Sequence, residues 1–348
     1  MDGFAEDMAP LVGQFPPYPL SWYFFGLSRE VPRNRPVGRD ILGRRFVAFR
    51  TPDGRAVILD GRCSHFGADL SLGTVCGDAV RCAFHHWQYG PDGRCRSIPA
   101  GEDIPAWARQ TSYPVEERNG QVFFFNAPEA LFPLPFFPNC RPENFVASRP
   151  YGVVLECPWY LIGANAFDLQ HFRAAHDRRL VGEPEVCCPA PFARRASGTF
   201  EIASDSLQDR VTRLLAGPRV TLTLTDWCGN LMFTTARFRR TCSYGMIATE
   251  PLGPSRARVH ITVFVPRGAS VLGRLTDPLH ALVRRLFILR FLSADADRLK
   301  GTRYHPNRLI AADQHLADYF HWLARVSHGQ AVRRGNEETT ACTPVICR

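Results

Sequence analysis

Two short stretches constrain this chain more than any others. "RCSHFGADL" at residues 62–70 sets Cys63 two places before His65, and "RCAFHHWQYG" at 81–90 sets Cys82 three places before His85, with sixteen residues between the pairs. Thiols and imidazoles paired in this way act together only on two loops that the fold holds tip to tip. Gly67 and Gly90 permit the tight backbone such tips need, because glycine enters conformations closed to other residues.

Four such donors can hold zinc tetrahedrally, or a [2Fe–2S] cluster with both thiolates on one iron and both imidazoles on the other. A finger-like zinc site runs Cys, Cys, His, His. Here each loop supplies one donor of each kind, which favours the cluster over zinc and over unliganded core side chains. The nearby Phe66, Phe84, Trp87 and Tyr89 are expected to keep water from the sulfurs. His86 is read as a surface or outer histidine, and Cys76 and Cys95 as bystanders.

The 348 residues suit about two domains. The 12 cysteines are irregularly scattered and the start of the chain lacks the basic-then-apolar order of an export signal, so a disulfide scaffold is disfavoured and a cytoplasmic location expected. No apolar run is long enough for a membrane span. The net charge of +9 suits an acidic partner. The arginines are dispersed and no recognition motif accompanies them, so an acidic electron carrier fits this charge and nucleic acid is not expected.

Residues 20–135 read as short strands and tight turns, with glycine-containing turn pairs at 53–54, 60–61, 77–78 and 92–93. This is an all-β domain. The proline-rich "LFPLPFFPNCRPENF" at 131–145 is the linker candidate. Over 145–330 a strand passes into a helix, strand-like stretches follow at 197–203, 219–226, 230–238, 242–249 and 257–265, and helices are expected near 276–292 and 308–326. That order predicts an antiparallel sheet with helices on one side, an α+β domain.

Within it, "NAFDLQHFRAAH" at 165–176 offers Asn165, Asp168, His171 and His176. The first three recur every three residues on one side of a helix, whereas His176 lies about 140° from His171. Both histidines reach one metal only if the helix bends or ends between them. A third ligand is needed to complete two histidines and a carboxylate. In "LIAADQHLADYFHWLARV" at 309–326, Asp313 falls in the apolar stripe Leu309, Leu316, Phe320 and Leu323, and a carboxylate there calls for a cation. Asp313 is therefore preferred over Asp318, with Asp295 and Asp297 of "SADADRL" as the remaining candidates.

Together, the Cys-x-His and Cys-x-x-His loops and the Asn-x-x-Asp-x-x-His-x-x-x-x-His segment resemble the Rieske non-heme iron oxygenases over about residues 20–328. Respiratory Rieske proteins carry extra cysteines beside both loops, where this chain has Ala68 and Ala83. The resemblance implies an all-β Rieske domain joined to a catalytic domain of helix-grip fold, a mononuclear Fe²⁺ held by His171, His176 and an aspartate near the start of a C-terminal helix, and a head-to-tail homotrimer. In that ring His85 of one subunit approaches Asp168 of the next, and Asp168 serves with Asn165 as a catalytic residue rather than a ligand.

No Gly-x-Gly-x-x-Gly follows a strand, so NAD(P)H is expected to act through a separate flavin-dependent reductase or ferredoxin. The apolar stretches "TLTLTDWCGNLMFTTARF" and "LVRRLFILRFLSAD" favour a hydrophobic or aromatic substrate, and O₂-dependent monooxygenation is the leading reading. N-oxygenation, suggested by arylamine-oxidising members, and dioxygenation are alternatives. A pure electron-transfer protein and a zinc-stabilised binding module are the non-enzyme readings.

Overall fold

The structure is a computed structural model and describes residues 15–332 apart from 102, 306 and 307. It divides into two compact units, one of Trp22–Leu134 and one formed by the rest of the chain. No helix among the described residues is long and apolar enough to cross a membrane.

The first unit is built from three antiparallel sheets. One contains β1 (Trp22–Leu27), β11 (Gln121–Phe125) and β10 (Val115–Arg118) in that order. The second runs β2 (Val37–Ile41), β3 (Arg44–Arg50), β4 (Ala56–Asp60) and β9 (Ser112–Tyr113), and the third β5 (Thr74–Cys76), β6 (Ala79–Arg81), β7 (Gln88–Tyr89) and β8 (Cys95–Ser97). β11 and the middle of β3 are apolar because both of their faces are covered: Phe46, Phe49, Phe124 and Phe125 are fully buried. Each such phenylalanine contributes about 1.5–3 kcal/mol.

The proline-rich stretch expected to be a linker is a packed strap. It has no regular structure from 126 to 141, yet Phe132 and Leu134 are buried in the first unit. Phe136 and Phe137 belong to the second, where their rings lie 5.5 and 6.1 Å from that of Phe145 and 5.6 and 5.5 Å from that of Phe264. Proline removes the hydrogen bonds of a strand or helix, and aromatic packing fixes the path instead.

The second unit centres on an eight-stranded antiparallel sheet in the order β12 (Phe145–Ala147), β19 (Arg256–Pro266), β18 (Cys242–Gly253), β17 (Leu231–Phe238), β16 (Arg219–Trp227), β15 (Ala193–Ile202) and β14 (Arg178–Ala190), with β13 (Tyr151–Leu155) also paired to β19. The helices are α1 (Trp159–Ala164), α2 (Leu169–His176), α3 (Leu207–Ala216), α4 (Val271–Leu299) and α5 (Gln314–Val326). This is the α+β arrangement expected. β14 and α3 have no counterpart among the sequence expectations. β14 contains Gly182, Pro184 and Pro189 and so lacks a strand's alternation, and its pairing with β15 shifts register between Val181 and Glu185.

A buried polar tie joins α5 to the sheet beneath α1. Tyr319 donates a hydrogen bond to Asp226 Oδ2 at 2.6 Å and stacks on Phe167, ring centroids 4.5 Å apart. Gly163 of α1 has no side chain because a Cβ there would collide with the Tyr319 hydroxyl. Burial pushes the Asp226 carboxyl up to about 7. The folded protein thus keeps a proton that the unfolded chain, with an ordinary carboxyl near 3.8, has already released. The group's contribution to stability is complete below about pH 4 and is lost as the pH rises through 7. Asp226→Asn keeps an acceptor for Tyr319, so its Tm is expected to gain on the native protein as pH rises from 4 and to level off above 7. A Tm difference independent of pH would contradict a protonated, buried carboxyl.

Candidate functional site

In the first unit the two Cys/His loops close in the same way. Cys63 N–H donates to Ala68 O at 2.8 Å and Cys82 N–H to Trp87 O at 2.9 Å, so each loop is pinched at its base. Gly67 makes the first turn possible at φ 76°, whereas in the second loop the left-handed residue is His86, at φ 59°. Gly90 is not left-handed; the Arg96 side chain packs where its Cβ would be. Cys63 and Cys82 are buried free thiols.

The His65 and His85 rings are 4.6 Å apart, and His65 stacks on Trp87 at 4.3 Å with an interplanar angle of 1°. His65 Nδ1 is buried without a hydrogen-bond partner, and Tyr89 hydroxyl lies 3.1 Å from Cys63 Sγ and 3.0 Å from Ser64 Oγ. Burial pushes the Cys63 thiol up, against the lowering effect of Tyr89. Buried thiols, facing imidazoles and an orphaned ring nitrogen are the donor set a [2Fe–2S] cluster takes. The aromatic shield differs from expectation. Trp87 and Tyr89 are buried, but Phe66 and Phe84 are 72% and 58% exposed and stand together beside His85.

In the second unit the helix expected through 165–176 is broken before His171 rather than between the histidines. α1 ends at Ala164 and α2 starts at Leu169. Asp168 is the N-cap of α2: its Oδ1 accepts from Gln170 N at 3.0 Å and from His171 N at 3.1 Å. A carboxylate at this position satisfies otherwise unpaired N–H groups and complements the helix dipole. His171 Nδ1 lies 2.9 Å from the Asp168 backbone oxygen, so the contact with the ring comes from the carbonyl and not from the carboxylate. With Nδ1–H donated there, the lone pair is on Nε2, 3.3 Å from Asn165 Nδ2.

His176 ends α2, and both imidazoles converge on Asp295 of α4. Asp295 Oδ1 is 2.8 Å from His176 Nε2 and 3.7 Å from His171 Nε2. The three donor atoms all lie within 4.8 Å of one another. Burial pulls the His171 imidazole below its ordinary value, partly opposed by Asp168 and Asp295, which favours the neutral ring that a metal needs. Asp295 Oδ1 is buried and has no hydrogen-bond partner despite its neighbours. Two imidazoles and an orphaned carboxylate oxygen aimed at one point fit a divalent iron centre with open positions.

Asp313 is not part of this group. It closes a 3₁₀ turn, Ala311–Asp313, before α5, where Oδ2 accepts from Ile310 N at 3.0 Å and Oδ1 from Gln170 Nε2 at 2.7 Å. Only a helix continuous from residue 308 would put Asp313 in the apolar stripe, and the turn resets the phase. Asp318 accepts from Gln314 and lies 3.9 Å from Arg194. The signal that finds Asp295 is the same stripe test applied to α4, where Ile288, Leu292, Asp295 and Leu299 follow helical spacing. No local signal marks Arg178, which donates to the His176 carbonyl at 2.8 Å and pairs through both Nη atoms with Asp209.

His171, Asn165 and Asp295 line a cavity of about 750 Å³ between the sheet and the helices. The two apolar stretches picked out in the sequence supply much of its wall, with Leu222, Leu224 and Met232 from the sheet and Phe287, Ile288 and Leu292 from α4.

Residues 21–108 match the family model for the Rieske [2Fe–2S] domain. The first unit is a Rieske domain. The oxygenase component of 3-ketosteroid-9-alpha-monooxygenase from Mycobacterium tuberculosis is 32% identical over 167 residues, 46% of this chain and 43% of that protein. Aminopyrrolnitrin oxygenase PrnD of Pseudomonas fluorescens is 38% identical over 123 residues, 33% of this chain and 34% of that one. The matched stretch spans less than half the length of these curated relatives. Dicamba monooxygenase bound to 3,6-dichlorosalicylic acid superposes with a TM-score of 0.67 at 19% identity, covering 90% of this chain and 98% of that one. NdmA of Pseudomonas putida CBB5 with caffeine gives 0.64 at 19% identity over 88% and 90%. The sequence similarity to oxygenase components thus covers less than half of the chain, and over most of its length the chain shares the fold of dicamba monooxygenase and NdmA.

The geometry sets different fates for the carboxylates. Asp295→Ala is expected to lower mononuclear iron at least tenfold while leaving the Rieske absorption unchanged, whereas Asp313→Ala keeps the iron and costs about 0.5–2 kcal/mol of stability as a lost turn cap. Cys82→Ser is expected to remove the cluster spectrum. Iron and sulfide analysis of the three purified variants checks all of this.

Proposed function

We propose that the chain is the terminal oxygenase of a multicomponent system and inserts one oxygen atom from O₂ into a hydrophobic organic substrate. The observation that carries this reading is the convergence of His171, His176 and Asp295 at a large apolar cavity, in a chain that also holds a Rieske domain. A pure carrier needs no such cavity or second donor set.

The reaction consumes O₂, two electrons and two protons for each hydroxylated product and water. A ferrous ion held by the three side chains supplies O₂ activation when it is bound. The protein's own contribution is positional. Asp168 fixes the start of α2, its carbonyl sets the His171 tautomer, and Arg178 with Asp209 holds the other end of the helix at the His176 carbonyl. Asn165 stands beside His171 Nε2, its Nδ2 3.3 Å away, and helps fix where that ring points. The aliphatic wall excludes water and orients the substrate carbon toward the two histidines.

Electrons come from NAD(P)H through a separate ferredoxin or flavin-dependent reductase. His85 is exposed at its loop tip and Asp168 is half-buried, which suits a homotrimer in which electrons pass from His85 of one subunit to Asp168 of another. The sulfur-containing ligands stay buried, so the accessible imidazole is the exit. The 3-ketosteroid relative and the size of the cavity favour a sterol-sized or multi-ring substrate over a single small ring.

The reading is tested by incubating the iron-loaded protein with a compatible reductase, NADH and candidate multi-ring substrates under ¹⁸O₂. One labelled oxygen on carbon is the expected product by mass. Label on nitrogen would select the N-oxygenation alternative, and two labels on adjacent carbons would show a dioxygenase.

A further inference from the structure

The cavity is apolar along most of its wall but not at the end remote from the histidines. There Arg284 of α4 lines it together with His280, one turn earlier, and with Thr241 and Ser243 from the turn and strand that follow β17. Arg284 Nη2 donates to Thr241 Oγ1 at 3.0 Å. Among the described residues it has no carboxylate partner, unlike Arg178, which lines the same cavity but is fully engaged by Asp209. A guanidinium is always charged and carries five donors in a planar fork, and one hydroxyl leaves most of that fork unused.

Position decides what the arginine can read. Arg284 and Asp295 belong to the same helix, eleven residues apart, so they are separated by about 16 Å along the axis at 1.5 Å per residue. Ile288 and Leu292, at helical spacing between them, face the same space. The gap is too long for a single ring and suits a fused-ring or long-chain body. Leu215, Leu279 and Val283 line the cavity and are also exposed. Arg240 caps the neighbouring helix end by donating to Leu214 O at 2.8 Å.

We propose that Arg284 anchors a carboxylate at the far end of an elongate, otherwise apolar substrate, so that the carbon to be oxidised is held about one helix segment away beside His171, His176 and Asp295. This rests on the oxygenase reading of the site and names its substrate class. No charge is buried unpaired in the complex, because the fork that now has one neutral acceptor gains two charged ones. Arg284 is thus a specificity-determining residue, with Thr241 holding its side chain in place between substrates.

Calorimetry on the iron-loaded resting protein tests the anchor without turnover, using lithocholic acid, a sterol-sized terminal carboxylate, and its methyl ester below their aggregation limits. The native protein is expected to bind the acid at least about tenfold tighter than the ester, the scale of a charge-assisted hydrogen-bonded pair. Arg284→Gln is expected to erase that preference while leaving ester binding within about twofold. Thr241→Val, which removes only the internal bond, is expected to keep the preference, whereas a merely structural arginine would make the two variants behave alike. Equal binding of acid and ester, a preference that survives Arg284→Gln, or no binding of either ligand overturns the anchor. The labelled-oxygen experiment judges the oxygenase reading independently, so failure of either proposal is recognisable as its own.

Discussion

The approach of one carboxylate to two imidazoles organises the second unit. Asp295 Oδ1 sits 2.8 Å from His176 and 3.7 Å from His171 with no hydrogen bond to satisfy it. An uncompensated carboxylate in such a place costs several kcal/mol, so the arrangement is stable only with a cation or proton between the groups. Everything nearby keeps the three side chains convergent. Asp168 caps α2 at one end, Arg178 and Asp209 clamp it at the other, and the Asp226–Tyr319 tie fixes α5 to the sheet beneath the preceding helix. Because α2 has only eight residues, it would be marginal as an isolated helix, and these tertiary contacts are what hold both histidines in register.

The two metal-binding patterns differ in how far they could be read from the chain. The Rieske loops are local: four donors fall within 23 residues, and each loop's hydrogen bonds close on itself. Their chemistry is therefore visible in the order Cys, His, Cys, His. The second donor group joins residues 171 and 176 to one at 295, and nothing local announces that pairing. A buried-face aspartate does need a cation, but the 3₁₀ turn at Ala311–Asp313 breaks the periodicity that would place Asp313 on such a face. In α4 the stripe Ile288, Leu292, Asp295 and Leu299 is unbroken, and its aspartate does face the histidines.

Elsewhere the failures share a cause. β14 hides behind a glycine and two prolines, and α3 exposes Leu207, Leu214 and Leu215, so neither has the pattern of a half-buried element. Both gain their place from partners distant in sequence, β14 by pairing with β15 and α3 through the Asp209–Arg178 ion pair. Phe66 and Phe84 show the converse: their composition suggests a covered core, yet loop-tip backbone directs them outward. Apolar identity gives a preference for burial, and the backbone direction at a turn decides whether it can be met.

A single helix, α4, carries both the metal-facing carboxylate and the free arginine of the cavity, and this has a physical consequence for selectivity. Charges fixed on one rigid element cannot adjust their spacing to a ligand, so the distance between Asp295 and Arg284 is set by helical rise rather than by loop rearrangement. Arg178 cannot take over the anchoring role, since both its Nη atoms are engaged by Asp209 and withdrawing it would release the end of α2 that presents His176. The cavity therefore has one guanidinium committed to holding the helix of His171 and His176 and another left available to a ligand. That division of labour follows from which arginine has an aspartate within reach.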